Sequence, residues 1–226
     1  MTGAVLSGIE SLEELHVQIK EPTLSDQLFG GILPGLRRLR VTGEKVRRIE
    51  EQAFEGLQNC LRIELTITRT SVEEIPSRIF ELLNAEWAKV DLSFNKISTL
   101  NSASLYPNSS FWFSKGTKLL QGGLVLTGND MQCDCNLVWL GDWLRRWLRE
   151  SYESHSALIP EVHAMYDLIS ATTCLDSRFA DTRIPLVQLY PDHICHASAL
   201  SPANSLPPKH FNVHTFLIIV LALLLS

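Results

Sequence analysis

Residues 87–97 read WAKVDLSFNKI, and the spacing of their apolar side chains returns at regular intervals along the first half of the chain. With Trp87 counted as position 1, Val90, Leu92 and Asn95 occupy positions 4, 6 and 9. The same spacing begins at Leu36 and at Arg62, so the starts of the three copies are 26 and 25 residues apart. Weaker copies lie at residues 12–17 and 124–131. This regularity identifies an internal repeat.

The repeat predicts a short strand followed by a bend in each copy. Apolar side chains at positions 4 and 6 alternate as in a strand with one buried face. The pattern L-x-L-x-x-N at a period of 20–29 residues resembles the leucine-rich repeat. Position 9 is asparagine in two copies, at Asn95 and Asn129, and this side chain is expected to hydrogen-bond the backbone at the bend. Glu44 and Thr70 replace it elsewhere.

A cysteine-containing segment follows the last copy and is predicted to cover the apolar end of the repeats, which needs a cap. Residues 133–144 read CDCNLVWLGDWL, and Trp139, Trp143 and Trp147 follow one another at intervals of four residues. This spacing predicts an amphipathic helix. We interpret its aromatic side as core rather than as a binding platform, because such stripes usually pack inward. The side chains then expected in solvent are Arg145, Arg146 and Arg149.

The composition is that of a globular, exported protein. The 226 residues are 45% hydrophobic and 20% charged, which excludes wholesale disorder and a polytopic membrane protein. Twenty Lys and Arg against 25 Asp and Glu give a net charge of −5, and this gives no reason to expect nucleic acid as a partner. Four of the five cysteines lie in the C-terminal half, and Cys60 stands apart. This distribution predicts two disulfides in an oxidising compartment and one buried or free thiol.

The repeats together with the cysteine-containing segment resemble the extracellular leucine-rich-repeat proteins with a cysteine-rich C-terminal cap, among them chaoptin, Slit and the Nogo receptor. The resemblance covers residues 12–196 and implies an α/β repeat, a solenoid with a concave parallel sheet and a helical, disulfide-linked cap. It also implies the pairings Cys133–Cys174 and Cys135–Cys195. The family binds other proteins outside the cell, and its chaoptin-like members are adhesion proteins with a glycosylphosphatidylinositol (GPI) anchor.

The predicted organisation has four parts: repeats in residues 1–130, of about five turns with an insertion at 106–118, the cap in 131–197, a linker in 198–215 and a hydrophobic tail in 216–226. A signal peptide and the family's N-terminal cap are both missing, which predicts a piece of a longer chain.

The tail predicts attachment to a membrane. Its ten apolar residues, 216–225, fall short of the roughly 20 that a transmembrane helix needs. Small residues, a polar spacer and an apolar tail are the features of a GPI signal, with Ala203 and Asn204 as candidate attachment positions. A short transmembrane anchor is the alternative. Both predict a protein displayed at the outer surface of the plasma membrane.

The outward side chains of the strands are predicted to form the concave, ligand-binding surface. The candidate contact residues are His16, Arg37, Arg38, Arg40, Thr66 and Asp91. The arginine guanidinium is suited to bidentate binding of carboxylates, sulfates and phosphates, so three arginines favour a partner-binding surface. Cross-strand pairing with the neighbouring acidic residues is equally compatible with the pattern. Those residues are Glu13, Glu14 and Glu64.

The insertion carries two further features. Asn108 begins an Asn-Ser-Ser sequon, which predicts an N-linked glycan on a surface loop. The aromatic residues 111–113 follow, and they form either an exposed binding patch or, as is more usual for such residues, a buried contact with the repeats.

The sequence contains none of the familiar catalytic, phosphate-binding or zinc-binding motifs, so it predicts neither an enzyme nor a cofactor or metal site. The leading hypothesis is an adhesion or receptor ectodomain that binds an extracellular protein. The alternative is a secreted, non-catalytic accessory or structural subunit of an extracellular complex.

Overall fold

Each repeat copy supplies one strand to a parallel sheet in the computed structural model of the chain. The structure describes residues 11–26, 33–80, 83, 85–105, 122–154, 167–178 and 182–195. The strands are β1 (Glu14–Gln18), β2 (Thr23–Leu24), β3 (Arg38–Gly43), β4 (Arg48–Ile49), β5 (Arg62–Thr70), β6 (Trp87–Asp91), β7 (Gly123–Val125), β8 (Thr173–Asp176) and β9 (Thr182–Pro185). The α-helices that lie wholly within these ranges are α1 (Ser102–Leu105), α2 (Val138–Ser154) and α3 (Pro191–Ile194). Asn108, residues 111–113, Ala203, Asn204 and the tail 216–226 lie outside the described residues.

The main sheet has five strands in the order β1-β3-β5-β6-β7, all parallel. Its register aligns the apolar residue at position 4 of every copy, namely Leu15, Leu39, Leu65, Val90 and Leu124. The predicted parallel alignment of successive copies is therefore confirmed. A parallel sheet of this kind, with helices and two disulfides, is compatible with the α/β fold of leucine-rich repeats.

The core contains the remaining apolar positions of each copy. Those beyond the strands of the main sheet are buried in two copies: Val46, Ile49, Phe54 and Leu57 in one, and Val72, Ile75, Phe80 and Leu83 in the next. A smaller parallel sheet, β2 with β4, joins the first two copies and contributes the buried Leu24 and Ile49 to this core. The apolar face of each copy is covered by the adjacent copies, so the burial of these side chains depends on stacking between copies.

The asparagines at position 9 hydrogen-bond the backbone of two copies at once. The Asn95 side-chain amide donates to the carbonyls of Ile67 (2.7 Å) and Leu92 (2.8 Å). Asn129 repeats this arrangement one copy further on, donating to the carbonyls of Leu92 and Leu126 at 2.8 Å each. The expected role of these asparagines at the bend is confirmed.

The two residues that replace asparagine behave differently. Thr70 is buried, and its hydroxyl donates to Asn95 Oδ1 (2.7 Å), so it joins the same hydrogen-bond network. Glu44 is exposed, and only its backbone carbonyl takes part, accepting from the Ser71 hydroxyl at 2.8 Å. We call the copies that begin at Leu36, Arg62 and Trp87 the first, second and third strong copies. The hydrogen-bond network therefore includes the second strong copy but not the first.

The cap places its aromatic helix face against the repeats. Trp143 is fully buried and Trp147 nearly so, and the half-buried Trp139 donates from its indole nitrogen to the Leu100 carbonyl at 2.9 Å. The interpretation of this face as core is confirmed. Cys133 bonds to Cys174 and Cys135 to Cys195, with Cα–Cα separations of 5.1 and 5.2 Å. This pairing is the one that the family resemblance implies.

Arg145 does not lie in solvent as predicted. Its side chain is only 22% exposed, stacks 4.1 Å from the Tyr190 ring and donates to the carbonyls of Val187 (2.7 Å) and Leu189 (3.1 Å). The helix approaches this segment closely at Gly141, where a Cβ would meet the carbonyl of Leu189 at 2.7 Å. Because the helix and this segment lie so close together, the Arg145 guanidinium reaches the carbonyls of Val187 and Leu189. Helical periodicity cannot predict a tertiary contact of this kind.

A buried carboxylate and its arginine partner connect the end of β8 to α3. Asp176 is 1% exposed and accepts two hydrogen bonds from the Arg178 guanidinium, at 2.9 and 2.8 Å, and one from the Arg178 N–H at 3.1 Å. The same guanidinium donates to the His193 carbonyl at 3.0 Å. The hydrogen bonds from Arg178 lower the pKa of Asp176. Because the folded-state pKa is depressed, this carboxylate stabilises the cap at neutral pH, and the contribution is lost as pH falls through the folded-state pKa.

Candidate ligand-binding face

The side of the main sheet directed away from the core carries rows of side chains that cross the strands. In β3, Arg38 and Arg40 are exposed while Leu39 and Val41 are buried, as the alternation of a strand requires. We call the exposed side the outer sheet face. Its central row consists of His16, Arg40, Thr66, Asp91 and Val125, which are register partners on successive strands. Four of the six predicted contact residues thus share one row.

A second row is occupied mostly by charges of alternating sign. Glu14, Arg38, Glu64 and Lys89 are aligned across four strands. Arg38 forms an ion pair with Glu14, and the two side chains are 59% and 60% exposed. Exposed pairs of this kind contribute less than about 1 kcal/mol. For Arg38, the structure therefore shows the alternative prediction, cross-strand pairing with a neighbouring acidic residue.

Arg40 and Asp91 differ from Arg38 because no ion pair in the described part of the chain involves either of them. They lie two strands apart with Thr66 between them, a separation of roughly 10 Å at ordinary strand spacing. Asp91 Oδ1 accepts a hydrogen bond from the Ser93 N–H at 2.9 Å, which holds the carboxylate in place. The central row therefore presents an arginine and a carboxylate that do not neutralise each other directly.

Arg37 lies apart from this row. The sequence predicts it beside Arg38 and Arg40, but the structure places it before β3, where it borders a cavity of about 470 Å³ at the amino-terminal edge of the sheet. Glu13 and Leu61 line the same cavity. Arg37 is exposed, but it precedes the strand and has no register partner in the sheet, so it belongs to neither row of the outer sheet face.

Phe94 is a candidate contact residue that the sequence analysis missed. Its side chain is 63% exposed, and its backbone has a φ of 56°, in the left-handed region. The ring lies against Gly128 of the next copy, where a Cβ would come within 2.7 Å of Phe94 Cδ1. A fixed, exposed aromatic ring is typical of residues that anchor a protein partner. The available signal was its alignment with Gly128, whose φ of 75° is also in the left-handed region, since glycine is the residue that adopts this conformation most readily.

The described residues contain no group of His, Cys, Asp and Glu arranged to hold a metal ion. None of the helices in the described ranges is long and apolar enough to cross a membrane. The outer sheet face presents hydrogen-bonding groups, charges and the half-buried Trp87 side chain, over whose ring the Arg62 guanidinium lies at 3.8 Å.

Comparison with known proteins links the chain to one curated relative. Chaoptin from Tribolium castaneum is 28% identical over 140 residues, which is 62% of this chain and 17% of chaoptin. The chain thus spans less than a fifth of that relative's length. No family model matches the chain. With the repeats and parallel sheet, this similarity supports a leucine-rich-repeat protein.

Proposed function

We propose that the protein is an extracellular binding module of the adhesion or receptor type, which recognises a protein ligand through the outer sheet face. In this proposal the stacked copies form a solenoid, and the outer sheet face is its concave surface. The observation that carries the proposal is the central row, where Arg40 and Asp91 are held on neighbouring parts of one sheet without pairing to each other. The similarity to chaoptin supports a place at the cell surface.

A charge-reversal experiment tests the role of the outer sheet face. The disulfide-bonded protein is screened against an array of extracellular protein domains, and the affinity of each hit is measured by surface plasmon resonance. We expect Arg40→Glu with Asp91→Lys to weaken binding by about tenfold or more, because truncating or reversing interfacial charges typically costs 2 kcal/mol or above. Phe94→Ala is expected to have a comparable effect.

The matched control reverses two exposed charges away from the sheet, Arg149→Glu with Glu55→Lys. These residues lie in the cap helix and in a short helical turn after β4. Their reversal should leave the affinity unchanged. Binding that is equally insensitive to the Arg40 and Asp91 reversals would place the ligand elsewhere and contradict the proposal.

We further propose that the protein is held at the plasma membrane by a GPI anchor attached at Ala203 or Asn204, as the small residues and spacer before the apolar segment indicate. Phosphatidylinositol-specific phospholipase C is expected to release the protein from intact cells that express it. Retention after treatment would favour the short transmembrane anchor. Constitutive secretion without treatment would favour the alternative function, a soluble accessory subunit of an extracellular complex.

A further inference from the structure

A second surface shares no residues with the outer sheet face. Here a cavity of about 930 Å³ is lined by residues of all three strong copies and by Asn136 of the cap. The first copy contributes Arg47, Arg48 and Ile49, and the second contributes Glu73, Glu74 and Ile75. We call the part of this surface between the first and second strong copies, formed by these six residues, the interrepeat groove. The two isoleucines are 5% and 6% exposed, and the four charged residues are exposed.

The backbone hydrogen bonds between copies are interrupted at this groove. On one side of it, Arg47 N–H donates to the Pro22 carbonyl at 2.8 Å, and β2 pairs with β4. On the other side, Ser98 N–H donates to the Glu73 carbonyl at 3.2 Å. Between the two copies that line the groove, the Ser71 N–H reaches the Val46 carbonyl at 2.8 Å, and no backbone hydrogen bond in the described residues joins 47–50 to 72–77.

The interruption leaves one strand edge free. The N–H groups of Arg48 and Glu50 donate to the Pro22 and Leu24 carbonyls, so these residues use the edge of β4 that faces β2. Successive residues of a parallel strand direct their backbone groups to opposite edges. The N–H and C=O of Ile49 therefore point toward the interrepeat groove, and within the described ranges neither has a hydrogen-bond partner.

We propose that the interrepeat groove binds an extended segment of another protein, which adds to the free edge of β4 and hydrogen-bonds the backbone of Ile49. Unpaired strand edges bind extended peptides in this way, with main-chain hydrogen bonds giving affinity and side-chain pockets giving specificity. The segment would direct an apolar side chain to Ile49 and Ile75. It would carry acidic residues toward Arg47 and Arg48, and basic residues toward Glu73 and Glu74.

The charges favour this occupant over a simple anion or cation. No ion pair within the described residues joins Arg47 or Arg48 to Glu73 or Glu74, so both signs remain available to a ligand. A small anion would meet the two glutamates, and a small cation the two arginines. A peptide with separated charges satisfies both pairs while its backbone reaches β4. This surface is independent of the outer sheet face, so the two proposals stand or fall separately.

The direct test follows the Ile49 amide by hydrogen exchange detected by NMR. The probe is an acetylated, amidated decapeptide, EKVTVTVTEK, which carries both charge signs side by side at each end and is added to the intact disulfide-bonded chain. At saturation the exchange of the Ile49 amide should slow by at least about tenfold, because a hydrogen-bonded amide exchanges only when it opens. The same peptide with N-methylated valines, which lacks those backbone donors, should bind at least about tenfold more weakly. Unchanged Ile49 exchange at about 1 mM peptide would overturn the proposal.

Charge variants supply the second arm of the test. Arg47→Glu with Arg48→Glu should weaken peptide binding by about tenfold or more, measured by calorimetry. The matched control, Arg69→Glu with Lys96→Glu, alters exposed charges outside the groove and should leave binding unchanged. A concentration-dependent dimer that the Arg47 and Arg48 reversals dissociate would assign the groove to a second copy of the chain. That result would overturn the peptide as occupant.

Discussion

Substitution of Asn95 by alanine is expected to lower the free energy of unfolding by about 4 kcal/mol. The amide donates to the Ile67 and Leu92 carbonyls, and its oxygen accepts from the Thr70 N–H (3.0 Å) and hydroxyl (2.7 Å). Asn95 is 6% exposed, so alanine would strand these groups in the core. Each buried group left without a partner costs about 1–3 kcal/mol, and partial rearrangement keeps the total below the sum.

Urea unfolding followed by tryptophan fluorescence measures this effect, because Trp143 and Trp147 are buried in the cap. Asn101→Ala is the matched control. Asn101 is exposed, and its side chain accepts one hydrogen bond, from the Ala103 N–H at 2.9 Å. Its loss should cost about 1 kcal/mol, as for a helix cap. Equal effects of the two substitutions would show that Asn95 does not hold adjacent copies together.

The fold could be predicted from the sequence because its determinants repeat. Leu39, Leu65 and Val90 occupy one position of a regular pattern, and each copy must bury that position against its neighbours. The alignment of the strands follows from this requirement alone. The same reasoning identified the aromatic face of the cap helix, since Trp143 and Trp147 recur at helical spacing.

The candidate site was less predictable because it depends on departures from the repeat. Alternation located His16, Arg40, Thr66 and Asp91 on one face, but it could not show that Arg38 pairs with Glu14 while Arg40 remains available. Phe94 was missed because it occupies position 8, which lies outside the apolar pattern and is glycine in two other copies, so the repeat assigns no role to a side chain there.

The interrepeat groove was also missed, and for a related reason. It results from a gap in backbone pairing between two copies whose apolar positions match the pattern equally well. Arg47 and Glu73 occupy equivalent positions and read as ordinary solvent-exposed charges. Only the hydrogen bonds around Ile49 reveal that one edge of β4 is free, and no side-chain pattern encodes that information.

Removal of either cap disulfide is expected to lower the free energy of unfolding by about 4 kcal/mol. The Cys133–Cys174 and Cys135–Cys195 bonds close loops with sequence separations of 41 and 60 residues, for which loop-closure entropy in the unfolded chain gives stabilisations of this size. Each bond is removed by a double alanine substitution, and urea unfolding measures the loss. Cys60→Ala, the matched control, should cost about 1 kcal/mol for one buried thiol hydrogen bond.

The two bonds should differ in how readily they are reduced. Cys174 is fully buried, and the Cys133 N–H donates to the Leu175 carbonyl at 2.9 Å, which fixes this bond against β8. Cys135 is exposed, so a thiol reagent reaches the Cys135–Cys195 bond first. Cys60 should not exchange with either bond, because burial raises the pKa of its thiol and suppresses the reactive thiolate. Mass mapping after limited reduction with dithiothreitol measures the order in which the two disulfides are reduced. Simultaneous loss of both bonds would contradict this account of the cap, and so would five alkylated thiols in untreated native protein.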